Sequence, residues 1–356
     1  MAVTEVLKKA YDEKILNVDE VREILMTTDP VRQNQVFALA RELRERYFDN
    51  AIYSYGFVYF STYCKNKCFF CYYRQGNKGA PRYRKEKSDI VELACKLADS
   101  GVHLIDLTMG EDPYFSNHPE MLAEIIQEVY DKTKLPIMIS PGVVNEDTLM
   151  AMKTAGAIWY ALYQETYDPE LFSNMRYKQS YEERFKLKIS AKKMGFLVEE
   201  GLMTGFGDSL NQRAQAIVSM SKINPSQVRT MTFVPQKGTP LENTVISDNR
   251  NELLMIAAMR LCYPDKLIPA SLDVEGLIGL YQRLDAGANV ITSLIPPKEG
   301  LAGVSQSELD IDDGSRSLAQ VLSIVQDCGL RLATHEEYQK FIAKEQGRVS
   351  KIKVII

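Results

Sequence analysis

Histidine is scarce: the chain has three, His103, His118 and His335, in 356 residues. That is too few for a histidine-rich metal centre. Neither sign of charge dominates. The 43 basic and 47 acidic residues leave a formal −4, and no long basic run stands out, so nothing recruits nucleic acid electrostatically. No apolar run approaches the ~18–20 residues that a membrane helix needs. The opening MAVTEVLKKAYDEK alternates charge with apolar residues and has no signal-peptide core. Cysteine is too thin for a secreted disulfide scaffold: three of the six crowd between 64 and 71, and Cys95, Cys262 and Cys328 are scattered. Such usage fits a reducing compartment, hence a cytoplasmic protein, with a metal site.

What is present is ample apolar content, 45%. Length alone suggests two domains, but α/β barrels spend about 250 residues on one. Residues 1–50 read as a helical extension, because DEVREIL and VRQNQVFALARELRERY carry apolar residues at helical spacing. From SYGFVYFST (54–62) the pattern becomes an alternation of strands and helices. Further strand candidates are 102–109, 136–140, 157–163, 196–204, 228–234, 266–274 and 288–294. Several of the helices between them close on glycine, as a C-cap should. Eight βα units predict a (β/α)8 TIM barrel over 51–330, with a doubly wound open sheet as the alternative, since counting strands does not prove closure. The tail, 331–356, reads as a short helix and a strand-like apolar end, IKVII. There is no internal repeat and no low-complexity linker. Barrel chemistry sits at the C-terminal strand ends. That rule points to Cys64, Gly110-Glu111-Asp112, Gln164-Glu165, the Gly205/Gly207 turn, Ser271 and Asp273.

The cysteine segment is YCKNKCFFCYYR, spaced C-x3-C-x2-C on Cys64, Cys68 and Cys71. Three thiolates on one loop can hold three corners of an iron–sulfur cubane and leave one iron open to a chelating ligand; an electron carrier closes its cluster with four. A zinc site or plain structural cysteines are the alternatives. A structural zinc commonly takes four ligands in two pairs, and no second pair exists here.

With Phe70 between its last two cysteines, this motif resembles that of the radical S-adenosylmethionine superfamily. The resemblance implies a 4Fe–4S cluster on Cys64, Cys68 and Cys71, S-adenosylmethionine chelating the open iron, and Phe70 against the adenine. Over roughly residues 10–330 the chain is similar to the biotin synthase-like branch. Carried over, Gly110 and Glu111 would meet the methionine amino group, with Met109 replacing the branch's first glycine. Glu165 in YQET would hold ribose hydroxyls or the amino group, and Arg184 in YEERF the methionine carboxylate. Gly205 and Gly207 match the glycine turn near the adenine. Cys95, Cys262 and Cys328 fall on helices, so the second cluster of sulfur-inserting relatives is not expected.

Within that branch CFFCYYR, GEDP, YQET, RTMTFVPQKGTPLE and PASLDVEG resemble the methylornithine synthase family of the pyrrolysine pathway. This implies an isomerase that converts lysine to 3-methylornithine, with Asp112, Arg229, Ser271 and Asp273 around the substrate and an electron donor such as ferredoxin or flavodoxin. The implied reaction removes a hydrogen from the lysine γ carbon by a 5′-deoxyadenosyl radical. The Cα–Cβ bond then breaks, and the fragments rejoin at the γ carbon. The charges suit such a substrate. A guanidinium grips a carboxylate bidentately, and each aspartate can pair an ammonium that would otherwise be buried unpaired. Simpler roles compete for the same residues: Asp273 as a helix N-cap, Asp112 as a turn before Pro113, and Arg229 as a structural charge at the barrel bottom. Two other readings stay open: a hydrogenase-maturation type of radical enzyme, and a non-enzymatic iron–sulfur module.

Overall fold

The computed structural model describes residues 3–246, 248–305 and 316–352. Eight parallel strands make the frame: β1 (Ala51–Ser61), β2 (Leu104–Met109), β3 (Ile137–Ser140), β4 (Ala157–Ala161), β5 (Leu197–Thr204), β6 (Gln227–Thr232), β7 (Pro269–Ser271) and β8 (Val290–Leu294). They pair in the order β6-β5-β4-β3-β2-β1-β8-β7. The two ends meet through a bridge between Gln227 and Leu267, in which the Val228 amide donates to Leu267 O at 3.0 Å. The sheet is therefore a nearly closed (β/α)8 barrel, and the open doubly wound alternative is excluded. All eight expected strands form. The largest difference is β7, expected over 266–274 and formed over three residues, beginning at Pro269, which has no amide to donate.

The helices before the barrel are α1 (Val3–Tyr11), α2 (Val18–Leu25) and α3 (Pro30–Phe48). A capping box between Asn17 and Glu20 starts α2, and Asp29 with Pro30 at the first turn starts α3. The buried carboxylate of Glu20 also takes Lys9 of α1 at 2.7 Å. Around the barrel run α4 (Lys87–Ser100), α5 (Pro113–Asn117), α6 (Pro119–Thr133), α7 (Glu146–Thr154), α8 (Pro169–Met175), α9 (Tyr181–Lys193), α10 (Leu210–Ser219), α11 (Arg250–Cys262), α12 (Gly276–Asp285) and α13 (Leu318–Asp327). The first three helices pack against α10 and α11.

A ninth strand, β9 (Arg331–Leu332), joins the start of β1, and α14 (His335–Ile352) crosses the barrel bottom. At 18 residues α14 is longer than the short helix expected. Of the IKVII end, 353–356 lie outside the described residues. Tyr338 of α14 donates to Tyr55 at 2.9 Å and packs with Tyr53 and Phe341. His103 sits in this floor, where its Nδ1 accepts the Ser54 amide at 3.0 Å and its Nε2 donates to Ala333 O at 2.8 Å. The bottom is plugged by rings, so chemistry is left to the other end.

Candidate active site at the barrel mouth

β1 runs straight into the cysteine loop. Arg82 fastens that loop by donating to the carbonyls of Thr62, Tyr73, Arg74 and Asn77. All three cysteines line one cavity of about 180 Å³, which adjoins a second of about 380 Å³ through Asn66, Glu111 and Arg184. Cys68 is buried, and its sulfur accepts from Gln179 Nε2 at 3.0 Å and Arg176 Nη1 at 3.7 Å. The Asn66 amide reaches Cys64 Sγ at 3.4 Å. Burial pushes the Cys64 thiol up to about 11 and raises Cys71 as well. Thiols raised by burial and facing N–H donors suit iron ligation, because bound iron supplies the positive charge that favours the thiolate. Among the described residues no three His, Cys, Asp or Glu side chains converge on a single ion. A cubane needs no such convergence, since it takes one thiolate per iron.

Gly110 makes the seat. A Cβ there would lie 2.2 Å from Tyr63 O and 2.9 Å from Cys64 Cβ, so only glycine lets the end of β2 lie against the loop. Two backbone bonds seal the contact: Gly110 N to Ser61 O and Lys65 N to Glu111 O, both 2.9 Å. Gly142, at φ +78°, leaves room for Glu111 in the same way, since a Cβ would fall 1.9 Å from Glu111 Cγ.

Two acid–base pairs rim the cavity beside the cysteines. Arg184 donates from Nε to Tyr163 O at 2.6 Å and from Nη1 to Glu111 at 3.5 Å. Glu165, at φ +64°, is tied to β5 by backbone bonds with Gly201 and Met203, both 3.0 Å, and takes Arg176 Nη2 at 2.5 Å. Arg176 also lies over the Phe70 ring, 5.3 Å from its centroid. Phe70 packs on an apolar cluster of Met175, Met203, Phe206 and Phe233. The Gly205/Gly207 turn does not line the cavity. Its residues have φ of +93° and +104°, and Asp208 accepts the Gly205 amide at 2.8 Å and so fixes Phe206 into that cluster.

Deeper in the lumen, Arg229 projects from β6 into the cavity, not from the barrel bottom. Its Nε donates to Glu199 at 2.6 Å, it faces the rings of Phe57 and Tyr163, and its buried Nη2 has no partner among the described residues. Asp273 lines the same cavity and accepts from Ser293 at 2.8 Å and Ser271 at 3.3 Å. It is not the cap of α12; Glu275 stands there, in the left-handed conformation.

One assignment is overturned by position. Asp112 is fully buried and off the cavity wall. Its carboxylate takes Arg84 through two 2.8 Å bonds, Ser61 at 2.6 Å and the Tyr114 amide at 3.0 Å, which caps α5. Burial opposes its ionisation, but these donors win and hold the carboxyl below its ordinary value. It therefore acts in the turn before Pro113, and its oxygens are taken up by the protein.

The cavity offers another carboxylate in its place. Asp106, in mid-β2, lines the lumen and accepts from Thr108 at 2.9 Å and Ser140 at 3.2 Å, yet no described cation pairs with it. Burial, with repulsion from Glu199, pushes its carboxyl up to about 7. Sequence reasoning missed Asp106, although an acid inside the apolar strand LIDLTM was itself a signal, because an unpaired buried charge is costly. It also missed Arg176, Gln179, Glu199 and Arg316, for which spacing gives no sign.

The model of the Radical SAM superfamily matches residues 58–218. A 3-methylornithine synthase of Methanosarcina acetivorans is 41% identical over 91% of this chain and 92% of its own length. The chain belongs to the methylornithine synthase family. Its counterpart in Methanosarcina barkeri is 40% identical over the same shares. The crystal structure of a methylornithine synthase has a TM-score of 0.90 at 39% identity, covering 94% of this chain and 99% of that one. As a radical S-adenosylmethionine enzyme of this family, the protein uses a 4Fe–4S cluster and S-adenosylmethionine. Cys64, Cys68 and Cys71 form the thiolate set that fits the cluster, and the Glu111–Arg184 and Glu165–Arg176 pairs stand beside it.

Proposed function

We propose that the chain is a carbon-skeleton mutase converting L-lysine to 3-methylornithine. The observation that carries this reading is a buried lumen below the cysteine loop with one free guanidinium nitrogen and two carboxylates on its wall. The cluster with bound S-adenosylmethionine supplies hydrogen-atom abstraction by a 5′-deoxyadenosyl radical. Everything else falls to the chain's own residues. Arg229 Nη2 receives the substrate carboxylate, and Glu199 behind it keeps the guanidinium in line. Asp106 and Asp273 receive the two ammonium groups, with Ser271 and Ser293 orienting Asp273. Phe57, Tyr59, Leu162, Tyr163 and Met231 wall the cavity and exclude water, so fragments held at both ends rejoin before they separate. No described helix is long and apolar enough to cross a membrane. A one-electron donor such as ferredoxin or flavodoxin and a cytoplasmic setting belong to the same reading, supported by six free cysteines.

The test is anaerobic turnover of cluster-loaded protein with S-adenosylmethionine, a strong reductant and isotopically labelled lysine, read by mass spectrometry. Labelled methylornithine is the expected product. Formation of 5′-deoxyadenosine with lysine left intact would overturn the substrate.

A further inference from the structure

Five charged side chains, none more than 3% exposed, stand at or behind the wall of the inner lumen: Asp106, Asp273 and Arg229 line it, and Glu199 and Arg316 bond to Arg229 and Asp273 from behind. The acids and bases nearer the cysteines form two balanced pairs, Glu111 with Arg184 and Glu165 with Arg176. The inner group is not balanced. Burial raises the Asp106 carboxyl while the lumen is empty, and an ammonium entering beside it restores the carboxylate; three carboxylates against two guanidiniums then leave one negative charge among the described residues. Arg316 does not line the cavity. It approaches Asp273 from behind, Nη1 to Oδ1 at 2.6 Å, while its backbone carbonyl accepts the Ile295 amide at 3.2 Å just past β8. The other Asp273 oxygen is left to Ser293 and Ser271.

We propose that Arg316 is a specificity-determining residue: by holding the inner lumen at one net negative charge, it selects a diamino acid bearing one free carboxylate. This rests on the substrate reading above. Lysine has two ammonium groups and one carboxylate, so its single net positive charge matches the lumen. A diamine without the carboxylate brings two charges into a site prepared for one. In a buried, low-dielectric pocket an uncompensated charge is strongly disfavoured. Neutralising Arg316 makes the lumen doubly negative and reverses that preference, although Arg316 touches no substrate atom.

Calorimetric binding to the cluster-loaded enzyme with S-adenosylmethionine, unreduced so that no turnover occurs, reads this directly. The ligands are lysine and its decarboxylated counterpart, 1,5-diaminopentane. Arg316→Gln should shift the ratio of their affinities at least tenfold toward the diamine, and Arg316→Lys should keep the wild-type ratio. Equal weakening of both ligands in Arg316→Gln, or an altered ratio in Arg316→Lys, would overturn the proposal. If Arg316→Gln does not fold, Glu199→Gln carries the test, because removing a negative charge should move the ratio the opposite way; an unchanged ratio then sinks the idea. Wild-type protein that binds no lysine refutes the substrate reading itself. Wild-type protein that binds lysine, with a ratio insensitive to these changes, refutes the charge rule alone.

Discussion

Arg84 closes on both oxygens of Asp112, Nε to Oδ2 and Nη2 to Oδ1, each at 2.8 Å. This pair joins the strand-like segment after the cysteine loop to the turn after β2, so it braces the mouth from below. Asp112→Asn should therefore act on stability, costing about 2 kcal/mol, the usual scale for a hydrogen-bonded charge. Lysine affinity should stay within about threefold. Asp106→Asn should do the reverse, with little change in melting temperature and lysine affinity lower by at least about tenfold, the size of one charge-assisted hydrogen bond. Calorimetry on both variants decides between them; lysine binding lost in Asp112→Asn and kept in Asp106→Asn would restore the sequence-based assignment.

Cys68 is the least exposed of the three cysteines, and Gln179 and Arg176 donate to it. Cys68→Ala should abolish assembly of the cluster, seen as loss of the charge-transfer absorbance and of bound iron. Circular dichroism should be unchanged, since the barrel core does not include the loop. A full iron complement in this variant would remove Cys68 from the ligand set.

Gly110→Ala places a methyl group 2.2 Å from a backbone oxygen, which has no rotamer by which to yield. The cysteine loop must move away from β2. The expected outcome is lower iron incorporation together with a lower melting temperature. Gly207→Ala offers a comparison, because a Cβ there meets nothing within 4 Å and only the φ of +104° opposes it.

Arg176 links three parts of the rim: Glu165, the Phe70 ring and Cys68. Arg176→Gln should weaken S-adenosylmethionine binding at least about tenfold, the loss of one charge-assisted contact, while bound iron remains. Equilibrium dialysis with labelled S-adenosylmethionine measures it. Unchanged affinity would show that Arg176 serves only the loop.

His103 is held at about 4, below its ordinary 6.5, chiefly because burial disfavours the imidazolium. The unfolded chain therefore takes up this proton first. The stabilisation is complete above pH 6.5 and is lost as pH falls from 6.5 toward 4, amounting to roughly 3 kcal/mol at most. Denaturant melts of wild type and His103→Gln should converge in their pH slopes above 6.5 and diverge below it. Parallel slopes across that window would contradict the assignment.

The barrel was legible because each strand is a short apolar run between helices of the right period, and this pattern is local. The cysteine spacing was legible for the same reason: its three members lie within eight residues on one loop. The lumen was harder. Asp112 and Asp106 are six residues apart on either side of the end of β2, and only three-dimensional packing tells which one Arg84 removes from the cavity. Arg316 lies 43 residues from Asp273, and no periodicity links a residue before α13 to the end of β7. Arg229 could be read as a strand residue facing the lumen, but the carboxylate that fixes it, Glu199, lies on the neighbouring strand inside a fully buried run.

The ring of strands is stitched everywhere except along one line. Between β6 and β7 the described backbone bonds stop at Val228 and Leu267. Above that stitch, Arg229 stands on one lip and the β7 exit leads to Asp273 on the other. No described backbone hydrogen bond joins the two strands at that level. Lysine and its branched isomer differ in the length between carboxylate and terminal amine, so a vessel of fixed bore would fit one and strain the other. On the proposed reaction, the Arg229 and Asp273 lips would have to follow that shortening, and the seam is where the ladder leaves them unlaced.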